Sequence, residues 1–272
     1  MYRLDREGFL SYPLIFLWAL LGFQAGFLNS FGFLACGRYV SHVTGFGTQI
    51  GLALGEHRVA LAFELLGFPL SFIAGAVVNG FLTSARLERQ LRPRYDLVTM
   101  FLPLAILSVM VVGTQGWLGP INQTSSEIHD LLLLFGLSFL CGLQNGCFAT
   151  MTRGQIRTTH LTGISTDIGT DLARFLFGKL DKDERRYARR ANVSRVLTFL
   201  GFALGAILSV IATEMVDYYA LGIPVLTATV AYLAVTRLSS AMEEKRVQAE
   251  AITVSAAPTS PELVASFDGH RI

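Results

Sequence analysis

The sequence predicts an all-α integral membrane protein: six transmembrane helices plus two short re-entrant helices, arranged as an inverted 3+3 repeat. Three observations carry this expectation. Hydrophobic residues make up 52% of the chain and charged residues 15%, with a mean hydropathy of +0.49, values typical of membrane proteins. Six apolar segments reach the roughly 20 residues that a bilayer crossing needs. A stretch beginning at His42 occurs a second time at His160. In it Thr44, Gly45, Thr48 and Gly51 recur as Thr162, Gly163, Thr166 and Gly169. A repeat of this kind fixes how the halves of a fold relate.

The apolar segments are 12–35, 60–83, 97–118, 131–151, 196–213 and 218–235. The first is too long for a secretory signal, and no cleavage site of small residues follows it. Positive charge orients the set. Arg86, Arg89, Arg92 and Arg94 follow the second segment, and Lys179, Lys182, Arg185, Arg186, Arg189, Arg190 and Arg195 precede the fifth. Arg3 and Arg6 precede the first segment; Arg237, Lys245 and Arg246 follow the last. With both termini cytoplasmic, all these clusters face the cytoplasm as the positive-inside rule requires, and only Arg38 and Arg58 fall outside. The expected organisation is a cytoplasmic N-terminus (1–11), a first membrane repeat (12–118), an outer linker (119–130), a second membrane repeat (131–237) and a cytoplasmic tail (238–272). The tail after Met242 is rich in Ala, Ser, Pro, Glu and Val, and beyond a helical extension it is expected to be mostly disordered. Cys36, Cys141 and Cys147 lie in or beside apolar segments and have neither disulfide nor metal spacing.

The two repeated stretches give the short helices. Residues 44–54 and 162–177 are too short to span and read as re-entrant. Each half then runs as spanning, short, spanning, spanning helix. An odd number of crossings per half inverts the second copy, the construction of many secondary transporters. Equivalent positions lie 116 residues apart at Asn29 and Asn145, 118 at the histidines, and 130 at Gly75 and Gly205. The late jump falls on an extra charged loop near 181–190. Gly201 and Gly205 have the Gly-x-x-x-Gly spacing of close helix packing.

Leu143-Gln144-Asn145 followed by Thr158-Thr159-His160-Leu161-Thr162-Gly163, with the earlier Thr44-Gly45, resembles the YoaK-like family of bacterial six-helix membrane proteins. The resemblance runs from about residue 15 to 235. Asn29 stands where that family usually has Asp, and Phe46 where Asn is common. The resemblance implies the fold and a bacterial cytoplasmic (inner) membrane, and no substrate.

A helix N-terminus leaves about four N–H groups unpaired and carries roughly half a positive charge. Two such ends meeting near mid-membrane would bind an anion or the carboxylate of a small solute. The expected binding residues are Thr44, Gly45, Thr48, Thr162, Gly163 and Thr166, with Asn29, Gln144 and Asn145 as neutral donors and acceptors. Simple N-capping by Thr44 and Thr162, and interhelical hydrogen bonding by the asparagines, are the structural alternatives. Asp167, His42, His160 and Arg157 are candidates for coupling or gating. Glu64 lies within the second span; Asp171 is expected to pair with Arg174 along one helix face. No catalytic constellation, phosphate loop or metal spacing is present in the sequence, so neither enzymatic activity nor a cofactor is expected. The expected function is a secondary transporter or channel-like permease for a small polar or anionic solute, coupled to H⁺ or Na⁺. A second copy of the chain is a candidate partner, and nucleic acid is not expected. The competing reading is a non-transporting membrane scaffold or sensor.

Overall fold

The computed structural model of the chain describes residue 4 and residues 8–121 and 128–255. Nine α-helices and no strand occur among the described residues: α1 (Tyr12–Cys36), α2 (Val43–Gly55), α3 (Val59–Leu82), α4 (Ser84–Glu88), α5 (Tyr95–Thr114), α6 (Ile128–Met151), α7 (Leu161–Phe177), α8 (Lys182–Val216) and α9 (Gly222–Ser255). Among the described residues five helical runs are long and apolar enough to cross a membrane. The last, Lys182–Gln248, contains α8, a 3-10 turn at Asp217–Leu221 and α9 as far as Gln248. Exposed apolar side chains such as Phe63, Val77, Phe81, Leu204 and Leu226 cover the outer faces of α3, α8 and α9. Apolar groups in such numbers on the surface suit lipid, and the fold is that of a multi-pass helical membrane protein.

Local chemistry sets several of the helix ends. Ser11 and Pro13 open α1, and Gly37 closes it in a left-handed conformation (φ 69°) with its N–H on the Phe33 carbonyl. α5 stops at Thr114, before the expected 118, because the chain turns at Gly116 (φ 81°). The expected charged loop at 181–190 is instead the start of α8. The Asp181 carboxylate accepts from the N–H groups of Asp183 (2.9 Å) and Glu184 (2.8 Å), and Glu184 accepts in return from the Asp181 N–H (3.2 Å). This capping box lets the helix begin well before its apolar part. α6 begins inside the stretch expected as the outer linker, and residues 122–127 lie outside the described residues. α9 continues through 238–255, so that part of the tail is helical, and 256–272 lie outside the described residues. At the other end, Gly8–Leu10 form a 3-10 turn and the Leu4 N–H donates to the Met151 carbonyl (3.0 Å).

Two close helix pairs form the body. α1 lies along α8, and α3 along α6. A Cβ added at Gly26 would strike the Phe202 carbonyl and one at Gly205 the Phe23 carbonyl; likewise Gly142 would strike Phe72 and Gly75 would strike Phe139. These glycines admit the partner's backbone where a side chain could not fit. Contacts advance together along each pair (Gly22 on Thr198, Gly26 on Phe202; Gly67 on Phe135, Gly146 on Asn79), so the members of each pair run in the same direction. α5 packs on α9 and closes the bundle. α1 and α6 are the most buried of the long helices. They meet through Trp18 edge-on to Phe148 (5.8 Å) and through the Cys36 thiol on the Asp130 carbonyl (3.8 Å).

Candidate functional site

The polar residues of the repeat gather at two places, one at the N-terminus of each short helix. His42 is the N-cap of α2 (φ −89°, ψ 63°) and His160 that of α7 (φ −95°, ψ 61°). Thr44 and Thr162 are the second helical residues, so neither is an N-cap; the histidines hold those positions and make no side-chain capping hydrogen bond. The neighbouring glycine makes room for each ring. A Cβ at Gly45 would lie 2.5 Å from His42 Nδ1, and one at Gly163 would lie 2.8 Å from His160 Nδ1. Each imidazole therefore fills the space beside the glycine of its own first turn. Gly45→Ala and Gly163→Ala are each expected to displace the ring and to cost about 1–3 kcal/mol, the usual range for overpacking. Thermal melting together with the ¹⁵N shifts of the imidazole checks this. Unchanged ring signals would contradict it.

Asn29 and Asn145 perform one task in the two halves. Asn29 Oδ1 accepts from the Ser41 N–H (3.1 Å) and hydroxyl (3.0 Å). Asn145 Oδ1 accepts from the Thr158 hydroxyl (3.0 Å) and the Thr159 N–H (3.2 Å), and its Nδ2 donates to the Thr159 hydroxyl. Each asparagine pins the loop that delivers the chain into its short helix. A buried polar chain extends from the second of these. Gln144 donates to Thr158 Oγ1 (3.2 Å) and accepts from Gln24 Nε2 (2.9 Å), while the Thr227 hydroxyl donates to Gln24 Oε1 (3.1 Å). Gln24 and Thr158 are 0% exposed and Gln144 3%, so α9, α1, α6 and the loop before α7 are tied together through the centre of the bundle. Away from water such a chain is stable only while every member is satisfied.

Charged side chains tie each short helix to the long one that follows. Arg38, just before α2, reaches Glu64 of α3 at 3.4 Å. Asp171 of α7 meets Arg195 of α8 at 2.6 Å, Asp167 meets the same guanidinium at 3.4 Å, and Asp171 also pairs with Arg174 at 3.1 Å. The expected Asp171–Arg174 pair is present, and Asp167 has Arg195 as its partner. Arg195, counted in the sequence with the cytoplasmic cluster, lies well inside α8. Arg157 is exposed in the loop before α7.

A cavity of about 70 Å³ opens at the first turn of α2, lined among others by Phe33, Arg38, Tyr39, His42, Gly45 and Gln49. Tyr39 stacks on Phe33 (4.7 Å) and stands edge-on to His42 (5.9 Å). A guanidinium, an imidazole and an amide at a helix N-terminus suit an anionic or polar group. Each short helix packs on its own half rather than on the other short helix. α2 packs on α3, with Phe46 stacked on Phe68 at 4.7 Å, and α7 packs on α8; the short helices do not pack on one another. The cause is the short link from each to the next long helix, Glu56–Arg58 after α2 and Gly178–Asp181 after α7, which folds each back onto its own half. Thr44, Thr48, Thr162, Thr166 and Asp167 are exposed. The hydroxyls of Thr48 and Thr166 return to the carbonyls of Thr44 (3.3 Å) and Thr162 (3.0 Å). Gln24, Ser41, Thr227 and the role of Arg38 were missed from sequence. A lone amide at the middle of an apolar run was the signal for Gln24.

The chain belongs to the family described as "Protein of unknown function (DUF1275)", whose profile matches residues 17–234, in agreement with the YoaK-like resemblance of its motifs. No curated protein and no solved structure matches the chain.

Proposed function

We propose that this family member is a six-crossing permease of the bacterial inner membrane, built as an inverted 3+3 repeat, that carries a small polar or anionic solute. The observation that carries the reading is the exchange of contacts between the helix pairs. Gly26 on Phe202 and Gly205 on Phe23 recur as Gly142 on Phe72 and Gly75 on Phe139. The first helix of each half thus embraces the second long helix of the other half at equivalent residues, as a two-fold relation between halves would produce. With both termini cytoplasmic, α1 and α8 run outward and α3 and α6 inward, the directions that parallel pairing requires. α2 then enters from the outside and α7 from the inside.

In this reading each short helix tip is half of a relay. The outer half-site is the Arg38, His42 and Gly45 cavity; the inner is the turn at His160, Thr162 and Gly163, with Arg157 at its approach. Arg38–Glu64 and Asp171–Arg195 act as latches that open in turn, and the Gln24–Gln144 chain lies on the seam between the halves. Protons or Na⁺ would couple through Asp167 or the histidines.

Proteoliposome uptake with a panel of small anions and amino acids tests the proposal. Saturable uptake is expected for at least one, falling tenfold or more in Thr44→Val and Arg38→Gln with expression unchanged. Absence of saturable uptake across the panel, or full uptake in both variants, would overturn it.

A further inference from the structure

We infer that the cavity between the end of α5 and the turn leading into α9 is a binding site for a small organic cation, held by Asp217 and the ring of Tyr219. The inference does not depend on the permease reading. The cavity measures about 390 Å³, within the range of small-molecule sites, and is lined by Gly113, Thr114, Gly116, Asp217, Tyr218 and Tyr219 among others.

Backbone strain is concentrated at its one carboxylate. Asp217 has φ 57° and ψ −134°, a conformation that costs a non-glycine residue about 1–3 kcal/mol. A glycine there would remove the strain, so an aspartate held in it points to a task for the carboxylate. The next residue is fixed on every side. The Tyr218 ring lies where a Cβ on Gly113 would be, meets Phe31 edge-on at 5.7 Å, and its hydroxyl donates to the Leu118 carbonyl at 3.2 Å. The wall of the cavity is therefore rigid, while Tyr219 stands 66% exposed at its rim.

The local charge selects the ligand. Residues 113–121 and 214–223 contain Glu214 and Asp217 and neither Lys nor Arg, so an anion would be repelled. One carboxylate is too few for a tightly held metal ion, and no group of three or more His, Cys, Asp or Glu suited to a metal occurs among the described residues. A carboxylate beside aromatic rings is the environment that binds alkylammonium groups, by charge and by the negative faces of the rings.

Isothermal titration of the full chain in detergent tests the site, using choline against its uncharged isostere in which carbon replaces the quaternary nitrogen. Choline is expected to bind and the isostere at least tenfold more weakly. Asp217→Asn should weaken choline tenfold or more with the melting temperature little changed. Asp217→Gly should remove binding without lowering the melting temperature, since glycine tolerates this backbone conformation. Equal binding of choline and isostere, unaltered choline affinity in Asp217→Asn, or no binding of choline would each overturn the inference. Failure of uptake in proteoliposomes leaves it standing, since that measurement does not touch this cavity.

Discussion

Gly142→Val is expected to abolish the folded state, and Gly26→Val to do the same. A Cβ at either position lands on a backbone carbonyl oxygen of the facing helix, Phe72 in the first case and Phe202 in the second. Backbone cannot swing aside as a side-chain tip can, so the helices must separate along the whole contact. Overpacking of an ordinary core costs about 1–3 kcal/mol. Here the loss should exceed that range, because separation also pulls apart the contacts of Gly75 on Phe139 or of Gly205 on Phe23, one turn away. Gly80 is the control: nothing lies within 4 Å of a Cβ there, and Gly80→Ala should be neutral or stabilise by up to about 1 kcal/mol through helix propensity. Size-exclusion profiles and thermal melts in detergent give the comparison. A monodisperse Gly142→Val protein melting within a few degrees of the parent would show that the helices are not in backbone contact.

That contrast among glycines marks the reach of the sequence. The apolar runs gave all six long helices, because a segment in lipid must satisfy its backbone internally and only a helix does so within one segment. The Gly201-x-x-x-Gly205 spacing correctly announced close packing, yet nothing in it named α1 as the partner. The start of α8 was illegible from hydropathy, since a capping box of Asp181 and Glu184 inside a charged stretch looks like a loop. The repeated His-x-Thr-Gly was legible as a repeat, and both copies stand at the start of a short helix. Similarity establishes that two tips are equivalent and says nothing of their distance, which depends on the three-residue link after α2 and on Phe46 meeting Phe68. The histidines were singled out for titration, while their position as caps depended on a void beside Gly45 and Gly163 that only coordinates reveal. Gln24 has no counterpart in the second half, so a search for repeated residues passed over it.

Arg195→Leu is the variant in which structure and proposed function separate most clearly. Arg195 is 12% exposed and Asp171 13%, at 2.6 Å, and the same guanidinium also serves Asp167. Removing one member of a largely buried pair leaves a desolvated charge and typically costs about 3–5 kcal/mol, whereas replacing both by apolar residues is often neutral. Arg174 still reaches Asp171 and solvent still reaches Asp167, so the expected loss for Arg195→Leu is at the low end, about 3 kcal/mol. Arg195→Leu with Asp171→Leu should recover most of it. The outer pair behaves differently: Arg38 and Glu64 are 29% and 27% exposed at 3.4 Å, and Arg38→Leu should cost about 1 kcal/mol or less. Melting temperatures of the two singles and the double close the first comparison; a double no more stable than Arg195→Leu would deny the pairing. The double is then the sharper instrument for transport. On the permease reading the double folds without its inner latch, so a cysteine at Thr162 should react faster with a membrane-impermeant thiol reagent applied from the side of the basic clusters. Arg38→Leu should instead speed the reaction of a cysteine at Thr44 from the opposite side. Alternating access requires the two rates to move in opposition, each rising as the other falls. Rates that rise together, or only at the mutated end, would leave two independent ion pairs and no moving barrier between them.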